Sequence, residues 1–297
     1  MSEVVIKYEN AAGKQNNTTC QDSITCNLEK NIFGKIRIAA HSKSNLAIKI
    51  LIISLIAIST IAFLTFDYKE INFAEAIMAT LHNVKTVFLE PALRRDTVMG
   101  VAYQLFVTFC LGMLATIFGA LFALICSLFC AKNISHPAAA TVIKSFVAVV
   151  RAVPTVLWVL IFAVSAGLGS VAAVIGLTFH SFAYLTKVYA ESIEEIGAGT
   201  IEALRANGAN FWQIVCQAVI PATLSYIVAW TFMRFEINFA NAVAVGAAAG
   251  AGGIGYNLYM AGSMYFDLHE MGFLTYVVII AVIILEVIST KIKTIVR

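Results

Sequence analysis

Six stretches of this chain are apolar for long enough to cross a lipid bilayer, and nothing else about the sequence limits its fold so strongly. About 20 residues rising 1.5 Å each cover a hydrocarbon core of ~30 Å. Runs of this kind lie near 46–66, 101–129, 138–166, 171–190, 222–244 and 271–289. Hydrocarbon offers no partner to a backbone N–H or C=O, so such runs are helices or closed barrels. They are continuously apolar rather than alternating, which argues against a barrel. Charged residues make up only 12% of the chain, where a soluble domain has about 25%. The expected fold class is an all-α polytopic membrane protein with about six transmembrane helices.

The segments between the runs set the remaining organisation. Residues 1–44 are polar and lack the short basic start and apolar core of a cleavable signal peptide. They read as a tail, poorly ordered over its first 30 or so residues. A first helix over 45–66 follows, then a mixed loop over 67–100. In that loop Ile71, Ala74, Ile77, Met78 and Leu81 recur at helical spacing, as in a helix lying on a membrane surface. Residues 101–290 form the core, and 291–297 a short basic end.

Lys and Arg bias sets the orientation. With six spans and the N-terminus inside, Lys7, Lys14, Lys30, Lys35, Arg37, Lys43, Lys49, Lys132, Lys187, Arg205, Lys291, Lys293 and Arg297 fall inside. Only Lys69, Lys85, Arg94 and Arg95 fall outside. Both termini are therefore expected in the cytoplasm, with 67–100 external. The six cysteines lie outside the external loops and lack zinc-site spacing, so they read as small apolar side chains, and neither a metal nor a cofactor is implied. No basic patch with interleaved aromatics points to nucleic acid.

One polar stretch breaks the apolar pattern late in the chain. Residues 191–221, ESIEEIGAGTIEALRANGANFWQIVCQAVIP, fall on the cytoplasmic side. Ser192 and Glu195 have capping-box spacing, and Thr200 is placed to cap a second helix with Glu202 in its first turn. Gly208 is placed to end that helix in the left-handed conformation, and Asn210 to cap a third. A two-turn helix is marginal alone in water, so packing on its own protein or on a partner must hold it. Ala203 and Ala206 allow close approach, while Glu202 and Arg205 supply polar contacts. An ordinary structured loop accounts for these features equally well.

The pattern Glu202-Ala203-Leu204, then Gly208, then Ile220-Pro221 resembles the EAA loop of ABC importer permeases. Glu202, Ala203, Gly208 and Pro221 fall on motif positions, whereas Leu204, Ala218 and Ile220 are apolar departures. The resemblance extends over about residues 100 to 297. Arg151 to Gly169, His180 with Lys187 and Glu191, Arg234-Phe235-Glu236-x-Asn238 and Gly250-Ala251-Gly252-Gly253-Ile254-Gly255 are together similar to the permease subunit of phosphonate importers. Ala240 stands where that family often has a basic residue, and an extra Ala precedes Gly250. The resemblance implies a type I ABC importer permease fold and a short helix at Glu202, Ala203 and Gly208 that docks in a groove of an ATPase subunit. It also implies a homodimer with two ATPase copies and an extracytoplasmic binding protein, in a bacterial inner membrane. The sequence has no G-x-x-x-x-G-K-[ST], so ATP hydrolysis belongs to a separate subunit.

A charge inside a span costs at least ~2.5–3.5 kcal/mol at the helix centre, so it faces protein or water. Arg151, His180, Arg234 and Glu236 are therefore candidates for a substrate pathway. Arg234, Asn238 and Asn241 make one polar stripe, with Glu236 pointing to another side. Arginine suits a tetrahedral oxyanion through paired hydrogen bonds. A structural reading competes: Arg151 or Arg234 pairs with Glu236, or Arg151 binds carbonyls freed where Pro154 breaks its helix. Gly250-x-Gly252-x-x-Gly255 matches a dinucleotide fingerprint literally, but it follows a membrane span rather than a strand. Those glycines instead suit close backbone approach or a bend. An ion-coupled transporter leaves 191–221 without a role. An intramembrane enzyme lacks clustered carboxylates, and His269-Glu270 lacks the second His of a zinc helix.

Overall fold

The computed structural model describes Glu29–Lys30, Ile36–Arg37, Lys43–Thr65 and residues 72–296. The expected tail over the first 30 or so residues, and Ile71 of the surface stripe, lie outside the described residues apart from Glu29–Lys30. The chain forms two compact units, one up to Asn72 and one from Phe73 onward. In the first, β1 (Glu29–Lys30) pairs antiparallel with β2 (Ile36–Arg37), followed by α1 (Lys43–Thr65). Within α1, Ser54 donates to the Leu51 carbonyl (2.9 Å) and Thr60 to that of Ile56 (2.8 Å). Each hydroxyl is thus satisfied inside its own apolar helix.

The second unit is a helical bundle. The surface-helix expectation over 67–100 resolves into α2 (Phe73–Leu89), whose stripe of Ile77, Met78 and Leu81 is exposed. Its last turn packs on α11 (Leu268–Val296), where Tyr276 donates to the Phe88 carbonyl (2.7 Å). The long α3 (Val98–Cys130) is capped by Thr97, whose hydroxyl accepts from the Gly100 amide (3.1 Å). Its main partner is α6 (Ser170–Glu194), which is buried along most of its length.

The expected single span over 138–166 is instead two helices, α4 (Pro137–Ala152) and α5 (Thr155–Ala166), bent by 90°. Pro154 is the cause. It lacks an N–H, and its ring excludes a helical carbonyl at Val150. That carbonyl accepts instead from the Trp158 indole N–H (2.9 Å). Counting the bent pair as one, the described residues hold up to six spans by length and composition.

Where α5 meets α6, a Cβ on Gly176 would lie 2.6 Å from the Val159 backbone. Gly176→Val is therefore expected to force the pair apart at about 1–3 kcal/mol, read as a lower thermal midpoint of the detergent-purified protein. An unchanged midpoint would contradict this contact.

The polar stretch resolves into α7 (Ala198–Ala206), α8 (Phe211–Ile214) and a π-helical turn (Val215–Val219) that runs without interruption into α9 (Ile220–Ala249). The wide turn accommodates Pro221, which could not sit in a regular helix interior. Two capping expectations need correction. Ser192 lies inside α6, its hydroxyl bonded to the Val188 carbonyl (3.0 Å), because the span continues past Ala190. Thr200 lies in the first turn of α7, which starts after Gly197. The other two hold: Gly208 has φ +81°, and Asn210 forms a reciprocal box with Gln213 (2.9 and 2.8 Å).

Past Gly250 (φ 60°) the short α10 (Gly253–Tyr259) folds back on α9. A Cβ on Gly255 would overlap the Val243 carbonyl oxygen, so the backbones do approach closely there. Gln104 and Thr108 of α3 accept the Gly253 and Ile254 amides (3.0 and 2.9 Å).

Candidate functional site

The pathway candidates fall into two groups. Arg234 sits about midway along α9 and is only 3% exposed. Its Nε donates to Ser181 Oγ (3.1 Å), and its terminal Nη2 to His180 Nδ1 (2.8 Å). A guanidinium only donates, so His180 Nδ1 accepts and its proton sits on Nε2. Three of the five N–H donors of Arg234 are left without an acceptor among the described residues. Asn238, fully buried, gives both amide hydrogens to protein: one to Thr116 Oγ1 (2.8 Å), one to Ser181 Oγ (2.8 Å). Ser181 also bonds the Leu177 carbonyl (2.6 Å), which fills its hydrogen-bonding capacity. α3, α6 and α9 thus lock Asn238 and Ser181 together, and they in turn aim Arg234.

The competing structural pairing is absent. No carboxylate lies within 4.0 Å of Arg234 or Arg151 among the described residues. Glu236 is half-buried on another side of α9 and forms neither a hydrogen bond nor an ion pair there. Nor does Arg151 bind the carbonyl freed at the Pro154 break, because Trp158 does. Arg151 reaches Tyr184 instead, its guanidinium carbon 5.8 Å from the ring centroid. Arg234 approaches the same ring at 5.0 Å. Ser181, Thr116 and Tyr184 were not singled out by the sequence. Tyr184 follows His180 at the helical spacing of four residues, and that was the available signal; Ser181 is the immediate neighbour of His180 on α6.

The second group is α7 and its surroundings. Glu202, Ala203, Arg205 and Gly208 are all exposed. Ile201 is buried among Leu128, Ile134, Ile193, Ile214 and Val215, and so holds this nine-residue helix on the bundle. Leu204, a departure from the EAA pattern, packs against the same cluster, where an apolar side chain gains contact. Arg205 turns toward its own chain and donates to the carbonyls of Asn133 (3.3 Å) and Ile134 (3.5 Å) in the α3–α4 turn. Glu194 grips the same turn: it accepts the Lys132 amide (2.8 Å) and pairs with Lys144 of α4 (2.7 Å). The helix that presents Glu202 is therefore tied to the turn that joins α3 to the bent pair.

Known proteins share this architecture. A chain of the inward-facing MetNI methionine ABC transporter superposes with a TM-score of 0.62 at 21% identity, over 69% of this chain and 100% of its own. That likeness shows the fold, a type I ABC importer permease. A phosphate-import permease of Mycolicibacterium smegmatis is 33% identical over 153 residues, 51% of this chain. A phosphite transport system permease of Stutzerimonas stutzeri is 31% identical over 152 residues. The chain spans 29% and 55% of the length of those two relatives. A protein of Escherichia coli K12 described as a cryptic phosphonate transport system permease is 31% identical over 119 residues, 96% of its own length. Residues 119–297, more than half of the chain, match the inner membrane component of binding-protein-dependent transport systems, and the chain belongs to that family.

Proposed function

We propose that this chain is the membrane-spanning permease subunit of an ATP-driven importer of phosphonate or a related oxyanion such as phosphite or phosphate. The observation that carries the reading is Arg234: a buried mid-span guanidinium with no acidic partner among the described residues, held by His180 and Ser181. A buried charge without a counterion is costly, and a passing oxyanion supplies one. The names of the relatives support that class, since phosphate, phosphite and phosphonate present similar oxygens. Arg234, Arg151 and His180 contact the passing anion. Asn238 is a positioning residue, and Glu236 lies on the pathway margin.

The remaining parts follow the family's logic. Two copies of the permease frame one conduit, two ATPase subunits grip Glu202, Ala203 and Gly208 from the cytoplasm, and an extracytoplasmic binding protein delivers the cargo. Both termini face the cytoplasm. ATP-driven closure of the ATPases pulls on α7, and Arg205 and Glu194 pass that motion to the α3–α4 turn. The site is thereby opened alternately to each side.

Uptake competition in the reconstituted complex, with its cognate binding protein, tests the cargo. Phosphonate, phosphite and phosphate are expected to compete with one another. If none of them is taken up in an ATP-dependent manner, the reading falls.

A further inference from the structure

Resting on the transport reading above, we infer that Arg151, Tyr184 and Arg234 form a single anion clamp that selects dianionic over monoanionic tetrahedral oxyanions. Two guanidinium groups from different helices, α4 and α9, lie against one aromatic ring on α6, at 5.8 and 5.0 Å from its centroid. They are separated by no more than the sum of those distances. An aromatic face attracts a cation without neutralising it, so both positive charges remain available to a ligand. Arg151 has no hydrogen bond or ion pair among the described residues, and the role that would explain it structurally belongs to Trp158. Two like charges on one ring repel each other, and a dianion between them removes that cost.

The selectivity follows from the charge the locus holds. The groups that contact the ring or Arg234 there are Arg151 from α4, His180 and Tyr184 from α6, and Arg234 from α9. α3, which packs on α6 and α9, carries Thr116, already bonded to Asn238. Lys187, one turn beyond Tyr184, is paired with Glu191 (3.4 Å). Glu236 bonds neither arginine. Arg151, Arg234 and His180 Nε2 can only donate, and the Tyr184 hydroxyl can donate or accept. A phosphonate dianion or sulfate presents acceptor oxygens alone and matches this set. A monoanion such as singly protonated phosphonate brings one negative charge to two guanidinium groups and leaves their mutual repulsion partly uncompensated.

Anion binding to the purified permease–ATPase complex, measured calorimetrically with methylphosphonate and with sulfate, tests the clamp. Methylphosphonate affinity is expected to rise about tenfold or more as pH passes upward through its second ionisation, while sulfate affinity stays flat. The sulfate arm controls for titration of the protein. Arg151→Gln is expected to weaken both anions about tenfold, with Arg151→Lys recovering part of the loss. Tyr184→Phe, which keeps the ring, is expected to bind more tightly than Tyr184→Leu. Methylphosphonate binding that ignores pH, or Arg151→Gln binding like the parent, overturns the clamp. The pH arm needs no variant, so a variant that fails to fold leaves the test intact. Uptake by the complete complex separates the two failures. If the parent transports oxyanions but Arg151→Gln binds normally, the clamp alone falls; if the parent transports none, both fall.

Discussion

Glu202→Lys is expected to abolish retention of the ATPase subunit by the purified permease and to reduce ATP-dependent uptake to background. Glu202 is exposed on α7 and forms no hydrogen bond or ion pair among the described residues. Surface changes of that kind alter stability by no more than about 0.5 kcal/mol, so the variant should fold and insert as the parent does. Reversing its charge nevertheless places a cation where a partner groove must accept an anion, and like-charge juxtaposition at an interface costs several kcal/mol. Gly208→Asp probes the same surface by another route. A Cβ there meets nothing within 4 Å, and φ is +81°, so the change costs the fold about 1–2 kcal/mol of backbone strain. Both variants should therefore lose the ATPase while melting close to the parent. If either still retains the ATPase and supports parental uptake, α7 is not the docking element.

The spans were legible in the sequence because lipid leaves a backbone few choices, and long apolar runs can satisfy their own hydrogen bonds only as helices. The end of α7 was legible for a similarly local reason, since Gly208 has no side chain to oppose a positive φ. The misreadings share a different cause. Ser192 and Glu195 have capping spacing, but a capping box needs the chain to leave helical geometry, and packing on α3 carries α6 straight through that point. Pro154 signalled a break but not its 90° angle, nor that Trp158 would take the freed carbonyl. Such partners are set by tertiary approach. Ser181, Thr116 and Tyr184 are ordinary residues for a membrane helix, and they become informative only once α3, α6 and α9 bring them to Arg234.

Arg234→Ala is expected to eliminate uptake while leaving ATPase retention intact, whereas Glu202→Lys loses both. The network around the side chain explains why the fold should survive. Asn238, Ser181, Thr116 and the Leu177 carbonyl bond one another without Arg234, so three helices stay fastened. The variant also removes a buried charge that has no carboxylate partner, and a charge of that kind stabilises little. The transport step loses much more. Deleting one member of a buried, hydrogen-bonded charge pair costs about 2–5 kcal/mol, which lowers passage of an oxyanion about thirtyfold or more. Arg234→Lys keeps the charge but loses the fork that bonds Ser181 and His180 together, so it should rescue only part of the rate. His180→Ala removes one of the two acceptors that orient the guanidinium and should fall between the two. A purely structural arginine would give a lower melting point and weaker ATPase retention with uptake per folded complex unchanged, and that outcome would remove Arg234 from the pathway.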